Sequence, residues 1–190
     1  MTFNELDKRA IEWNQIANGH RSIEQRINTQ IDQCNEEMCK EFFYWLSELN
    51  KFNSKHSEEK VKTEILDGFA DSRFVFVEFS KLEQSLGFYE YTNNYMLKLF
   101  RNVITSSRDV FRHSTLVEAY RRVIESNFSK FVKQDELHEE FAEIEAWKMT
   151  NNYGIEITKE LNNGYLVFRD SNGKIRKPST FKPVDLSDLI

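Results

Sequence analysis

With 190 residues and a net charge of −5, the chain is long enough to bury a substantial core in one domain, and it lacks the basic excess that binds nucleic-acid backbones. Sixteen Phe, seven Tyr and three Trp supply apolar area, while only six Gly and two Pro point to long uninterrupted helices. Cys34 and Cys39 are too few for a disulfide framework or a zinc site, and no apolar run approaches membrane-spanning length, so free thiols, no membrane and a cytoplasmic location are expected.

A first helix is predicted from about Thr2 to Ala17, with Thr2 or Asn4 as its cap and Asn18-Gly19 as its stop. Ser22-x-x-Gln25 has the form of a capping box and opens a second helix, in which Ile23, Ile27, Ile31 and Cys34 recur at helical spacing. That helix leads into Glu36-Glu37-Met38-Cys39-Lys40-Glu41, where Glu37 and Glu41 are four apart and are predicted to share one face. A polar linker over 51–57 follows, and then a helix starting at Ser57-Glu58-Glu59 and running past Leu82 towards Gly87. It carries Glu64, Asp67 and Asp71 at spacings of three and four, again one face. Gly68 inside this helix costs roughly 1 kcal/mol against Ala and is read either as merely tolerated or as the point where another helix, a ligand or a second copy approaches closely.

Two facing helices of this kind would gather four or five carboxylates in one cleft. Their mutual repulsion calls for a counter-charge, and a hard divalent cation with oxygen-only ligands supplies it. A Mg2+ site (alternatively Mn2+) is therefore expected from Glu37, Glu41, Glu64, Asp67 and Asp71.

From Tyr89 to Arg112 an aromatic and basic segment is predicted to be helical, its basic residues at a solvated edge. Helices over Ser114–Phe131 and Gln134–Thr150 are expected next, the latter with Leu137, Phe141, Ile144 and Trp147 on one face and its acids on a solvated one. The period then changes: Ile155-x-Ile157 and Tyr165-x-Val167 alternate around Asn162-Asn163-Gly164, a hairpin signal, and Asp170-Ser171-Asn172-Gly173 reads as a second turn. The expected architecture is mainly α, an antiparallel multi-helix bundle over 1–150, with a small C-terminal β-hairpin and tail over 151–190 packing on the same domain.

The paired acids, the gap of about twenty residues and Glu64-Ile-Leu-Asp67 resemble the all-α nucleoside triphosphate pyrophosphohydrolases, the group of MazG, the dimeric dUTPases and the phosphoribosyl-ATP pyrophosphohydrolase-like proteins. Asp67-Gly-Phe-Ala-Asp71 and the tail Gly173-Lys174-Ile-Arg176-Lys177-Pro…Pro183-Val-Asp185-Leu186 are similar to phage-type members, and Asn127-x-Ser129-Lys130 is similar to an element of the phosphoribosyl-ATP branch. The first acidic motif departs from the group's E-E-x-x-E: with Glu37 and Glu41 as its outer pair, Met38 fills the second position, and with Glu36-Glu37 as the doublet, Lys40 fills the last. That leaves open a reduced metal complement or a weakened catalyst.

The resemblance implies a metal-dependent pyrophosphohydrolase that converts a (deoxy)nucleoside triphosphate to monophosphate and pyrophosphate. Glu37, Glu41, Glu64 and Asp67 would be catalytic, Glu36 or Glu41 taking the proton. Asn127, Lys130, Lys174 and Lys177 would contact substrate, Phe42 and Trp45 would stack on the base, and the protein would be a homo-dimer or homo-tetramer. The alternative is a non-catalytic relative, a nucleotide sensor or a protein-binding inhibitor, favoured by Met38 and Lys40.

Overall fold

The computed structural model describes residues 1–86, 92–134 and 139–190. The fold is mainly helical with one small antiparallel sheet, as the composition implies. Two compact units form: one comprises Met1–Glu12, His20–Ile124 and Asp185–Ile190, the other Trp13–Gly19 and Glu125–Val184. Helix α7 (Glu139–Tyr153) groups with the strands in the second unit.

The helical unit is built around α4 (Glu58–Leu86), which packs against α2 (Ile23–Asn35), a π-helix (Glu36–Phe42), α3 (Phe43–Leu49) and α5 (Thr92–Val110). Sequence explains that central place. Val61, Leu66, Ala70, Phe74, Val75 and Phe79 are all buried and lie around the helix rather than along one stripe, the pattern of an element covered on several sides. Phe76 stacks on Phe100 of α5 with ring centroids 4.1 Å apart.

Local signals set the helix starts. Thr2 and Glu5 cap α1 (Phe3–Asn18) reciprocally, the Glu5 carboxylate accepting from the Thr2 amide at 2.6 Å. Ser22 and Gln25 do the same for α2. Arg73 of α4 donates to both oxygens of Asp7 in α1, at 2.9 and 2.7 Å, while its guanidinium lies 4.1 Å from the Phe3 ring centroid. Tyr120 of α6 (His113–Phe128) closes that cluster from the other side, its hydroxyl pushed up by burial and by Asp7. The C-terminal residues belong to the same unit. Arg122 donates to the Asp185 carbonyl at 2.8 Å and pairs with Asp188 of the 3-10 turn Ser187–Leu189, and Leu186 is buried. The Pro-x-Asp-Leu string of the tail therefore has a structural task as an anchor.

In the second unit the strands β1 (Phe131–Lys133), β2 (Ile157–Asn162) and β3 (Tyr165–Asp170) run in the order β1-β3-β2, all antiparallel. The β2–β3 hairpin turns at Asn163-Gly164, both with positive φ (49° and 78°), the conformation that the Asn-Gly pair favours. One sheet face buries Val132, Ile157 and Phe168 against Ala146 and Met149 of α7 (Glu139–Tyr153). The other buries Phe131 and Val167 against Ile16 and Ala17.

Three expectations need correction. The helix predicted to reach Phe131 stops at Phe128, because Phe131–Lys133 pairs with β3. The stretch around Glu36–Glu41 is a π-helix, not an α-helix. On α7 the face expected to hold Phe141, Ile144 and Trp147 is turned outward, and Ala142, Ala146 and Met149 face the sheet. Gly87, Tyr89 and Leu137, named in the expected helices, lie outside the described residues. Among the described residues no helix is long and apolar enough to cross a membrane.

Candidate functional site

The π-helix is the local feature that positions the acids. Its wider ladder shows where the Phe43 amide donates to the Met38 carbonyl, five residues back. Such insertions are rare and concentrate at functional sites. Met38 and Phe42 point into the core with no exposure, leaving Glu37 half-buried and Glu41 exposed. Opposite stands Gly68. A Cβ built there would lie 3.2 Å from the Phe42 Cα, so the absence of a side chain lets α4 and the π-helix touch backbone to side-chainless backbone. Of the two readings of Gly68, close approach is the one realised.

That contact brings acids of both elements together. Glu64, Asp67 and Asp71 are half-buried on one face of α4, and Asp67 immediately precedes the glycine. Burial pushes the Asp67 carboxyl up to about 6, and the charges of Glu64, on its own helix, and Glu41, on the π-helix, add to the rise. Glu37 sits further along, where its charge joins burial in pushing the Cys34 thiol up to about 12. Cys34 is buried and inert; Cys39 is exposed.

The donor set suits a hard cation. Mg2+ commonly takes only one or two protein carboxylates and completes its shell with waters and substrate phosphates. Asp67 with Glu64 or Glu41 matches that requirement. Among the described residues no group of three or more His, Cys, Asp or Glu side chains stands close enough to form a fuller cage.

A β-branched side chain at Gly68 tests the geometry. Gly68→Val would drive methyl groups into the Phe42 backbone and is expected to cost about 2–3 kcal/mol by overpacking. Urea denaturation measures it, and a variant as stable as the wild type would mean that the two elements do not touch there.

The residues named for substrate contact lie in the second unit. Asn127 and Lys130 close the end of α6: Lys130 Nζ donates to Asn127 Oδ1 at 2.5 Å, and the Asn127 carbonyl accepts from Trp13 Nε1 at 2.7 Å. Ser129 Oγ accepts from the Lys182 amide at 2.9 Å, so the whole Asn-x-Ser-Lys element also serves as a clamp. Lys174 and Lys177 are exposed, Lys177 Nζ resting 4.3 Å from the Phe181 ring centroid. Arg176 between them is held by Asp170, which also accepts from the Asn172 and Lys174 amides at 2.9 Å each.

Phe42 is not available to stack on a base, because it is fully buried against Gly68. Trp45 is half-buried, edge-on to His56 at 5.0 Å, with Lys60 over its ring at 5.8 Å. Sequence reasoning passed over Glu48, a buried carboxylate one helical stretch beyond Glu41. Its role is structural: it accepts from Lys51 and, at 3.0 Å, from Ser54, which ties down the linker to α4. A recess of about 420 Å³ opens there, lined by Glu48, Phe52, His56 and Glu58 among others, and none of the five candidate ligands borders it.

Compared with protein-family models, with curated proteins and with solved structures, the chain matches none. The functional reading therefore stands on the chemistry of these residues and on the motif resemblance.

Proposed function

We propose that the protein is a Mg2+-dependent pyrophosphohydrolase acting on a nucleoside triphosphate, with the acids around Gly68 as its centre. The observation that carries this is the Phe42–Gly68 contact, which sets Glu41 of one element within the electrostatic reach of Asp67 on another. Convergence of like charges from separate elements is unfavourable by itself, and a divalent cation with oxygen ligands would relieve it.

Glu64 and Asp67 would hold the ion, with Glu37 and Asp71 flanking them on the two elements. When bound, Mg2+ would neutralise phosphate charge and acidify a coordinated water. Asp67 must give up its proton to serve as a ligand, so the raised carboxyl makes binding pH-dependent. Glu41, exposed and beside Asp67, is placed to take the proton of a water attacking the α-phosphorus. The new P–O bond forms as the bond to the β-phosphate oxygen breaks, and pyrophosphate leaves.

Incubation with each nucleoside and deoxynucleoside triphosphate and Mg2+, with pyrophosphate release as readout, tests the assignment. Turnover on at least one substrate is expected, falling at least about a hundredfold in Glu64→Gln and Asp67→Asn. Unchanged rates in both variants would refute the choice of carboxylates. The same assay on Lys130→Ala and on the Lys174→Ala/Lys177→Ala double variant tests the substrate roles that the resemblance implies, through KM.

A second reading has one observation in its favour. Met38, which fills the motif position of an acid, is fully buried in the core and contributes no ligand. A nucleotide sensor without turnover would show triphosphate binding by calorimetry and no pyrophosphate release on any substrate.

A further inference from the structure

Helix α7 is built inside out. Its small residues Ala142 and Ala146, with Met149, face the sheet, whereas Phe141, Ile144 and Trp147 are 60%, 42% and 68% exposed. At spacings of three they form a single stripe along the outer face. Together they leave on the order of 350 Å² of apolar surface in water, a size at which patches usually serve binding.

The stripe's order identifies what covers it. Reading outward from Ile144 in both directions, Phe141 and Trp147 are equidistant, and so are Glu140 and Lys148 just beyond them. Both Glu140 and Lys148 are exposed and lie on the same side of the helix as Ile144. A helix with this pattern is complementary to itself when turned end for end. Laid antiparallel on a second α7 about a two-fold axis through Ile144, Ile144 meets Ile144, Phe141 meets Trp147, and Glu140 meets Lys148, each pair occurring twice. The other acids of that turn are occupied in their own chain: Glu143 pairs with Lys159, and Glu145 accepts from the Ser179 amide and hydroxyl.

We infer that α7 is a self-association surface, and that its occupant is α7 of a second copy of this chain. The apolar stripe supplies about half of the roughly 800 Å² per partner of a standard interface, the size class of weak, reversible complexes. The two Phe141–Trp147 pairs on either side of Ile144 provide most of the affinity, and the two Glu140–Lys148 pairs at the rim fix the antiparallel direction.

Sedimentation velocity over a concentration series, on the full chain, tests this. Ile144→Asp places two carboxylates on the two-fold axis and is expected to halve the mass of the assembly while the far-ultraviolet circular dichroism is unchanged. Glu140→Lys alone and Lys148→Glu alone each create two like-charge pairs and should raise the dissociation constant at least about tenfold. The double variant Glu140→Lys/Lys148→Glu reverses both partners and should return to within about threefold of the wild type. A monomeric wild type at about 100 µM, an Ile144→Asp assembly of unchanged mass, or a double variant as weak as the single ones would each overturn the inference.

Discussion

Asp67→Asn is expected to stabilise the metal-free protein by up to about 3 kcal/mol at neutral pH while removing its capacity to bind Mg2+. The folded-state carboxyl titrates at about 6 against 3.8 in an unfolded chain, a rise caused first by burial and then by Glu64 and Glu41. Between those values the folded state holds more protons than the unfolded one. Unfolding free energy from this group is therefore highest at acid pH and declines as pH rises through 4 to 6. The isosteric amide has no proton to lose and no charge to repel its neighbours, so the contribution of this position should be level across the same window, and the gap between variant and wild type should widen as pH rises. Urea denaturation in chelator at pH 4, 5, 6 and 7 reads the difference. Parallel pH profiles for wild type and variant would mean that neither burial nor the neighbouring acids raise the Asp67 carboxyl. Adding Mg2+ should then raise the melting temperature of the wild type and leave that of Asp67→Asn unmoved. A residue that destabilises the empty fold and holds the proposed Mg2+ would fit the usual exchange between stability and activity.

Loss of the Arg26 guanidinium is expected to have the largest cost. Arg26 of α2 pairs with Glu78 of α4, whose side chain is 1% exposed. Burial holds the Glu78 carboxyl above the usual carboxylate range even against the lowering effect of Arg26. In Arg26→Met the carboxylate would be left charged and unpaired in the interior, which costs about 3–5 kcal/mol. Below neutral pH the loss should shrink, because Glu78 can then be buried as the neutral acid. Changing both partners, Arg26→Met/Glu78→Leu, should recover most of the stability, since two apolar side chains of similar volume leave no charge behind. Guanidinium titrations of the wild type and the two variants decide the matter. A single variant within about 1 kcal/mol of wild type would show that the pair does not support the α2–α4 contact.

Much of the architecture is legible in short-range chemistry. The Ser22/Gln25 capping box, the Thr2 cap and the Asn163-Gly164 turn each act through residues at most a few positions apart, and each folds as read. The spacing of Glu64, Asp67 and Asp71 likewise needs only the helix to place them on one face. The sequence does not show the strand over 131–133, because three residues are too few for alternation, and only pairing with β3 makes them a strand.

Helix α7 was misread for a different reason. It carries apolar residues on both faces, and size favours Phe141, Ile144 and Trp147 for the core. The sheet instead demands close approach, which Ala142 and Ala146 allow and aromatic rings do not. The acidic centre follows the same division. Its residue types and half of its spacing are written locally. The π-helical ladder, the burial of Phe42 and the field of Glu41 on Asp67 arise only where Gly68 lets two distant segments touch, because backbone proximity across a tertiary contact has no signature in neighbouring residues.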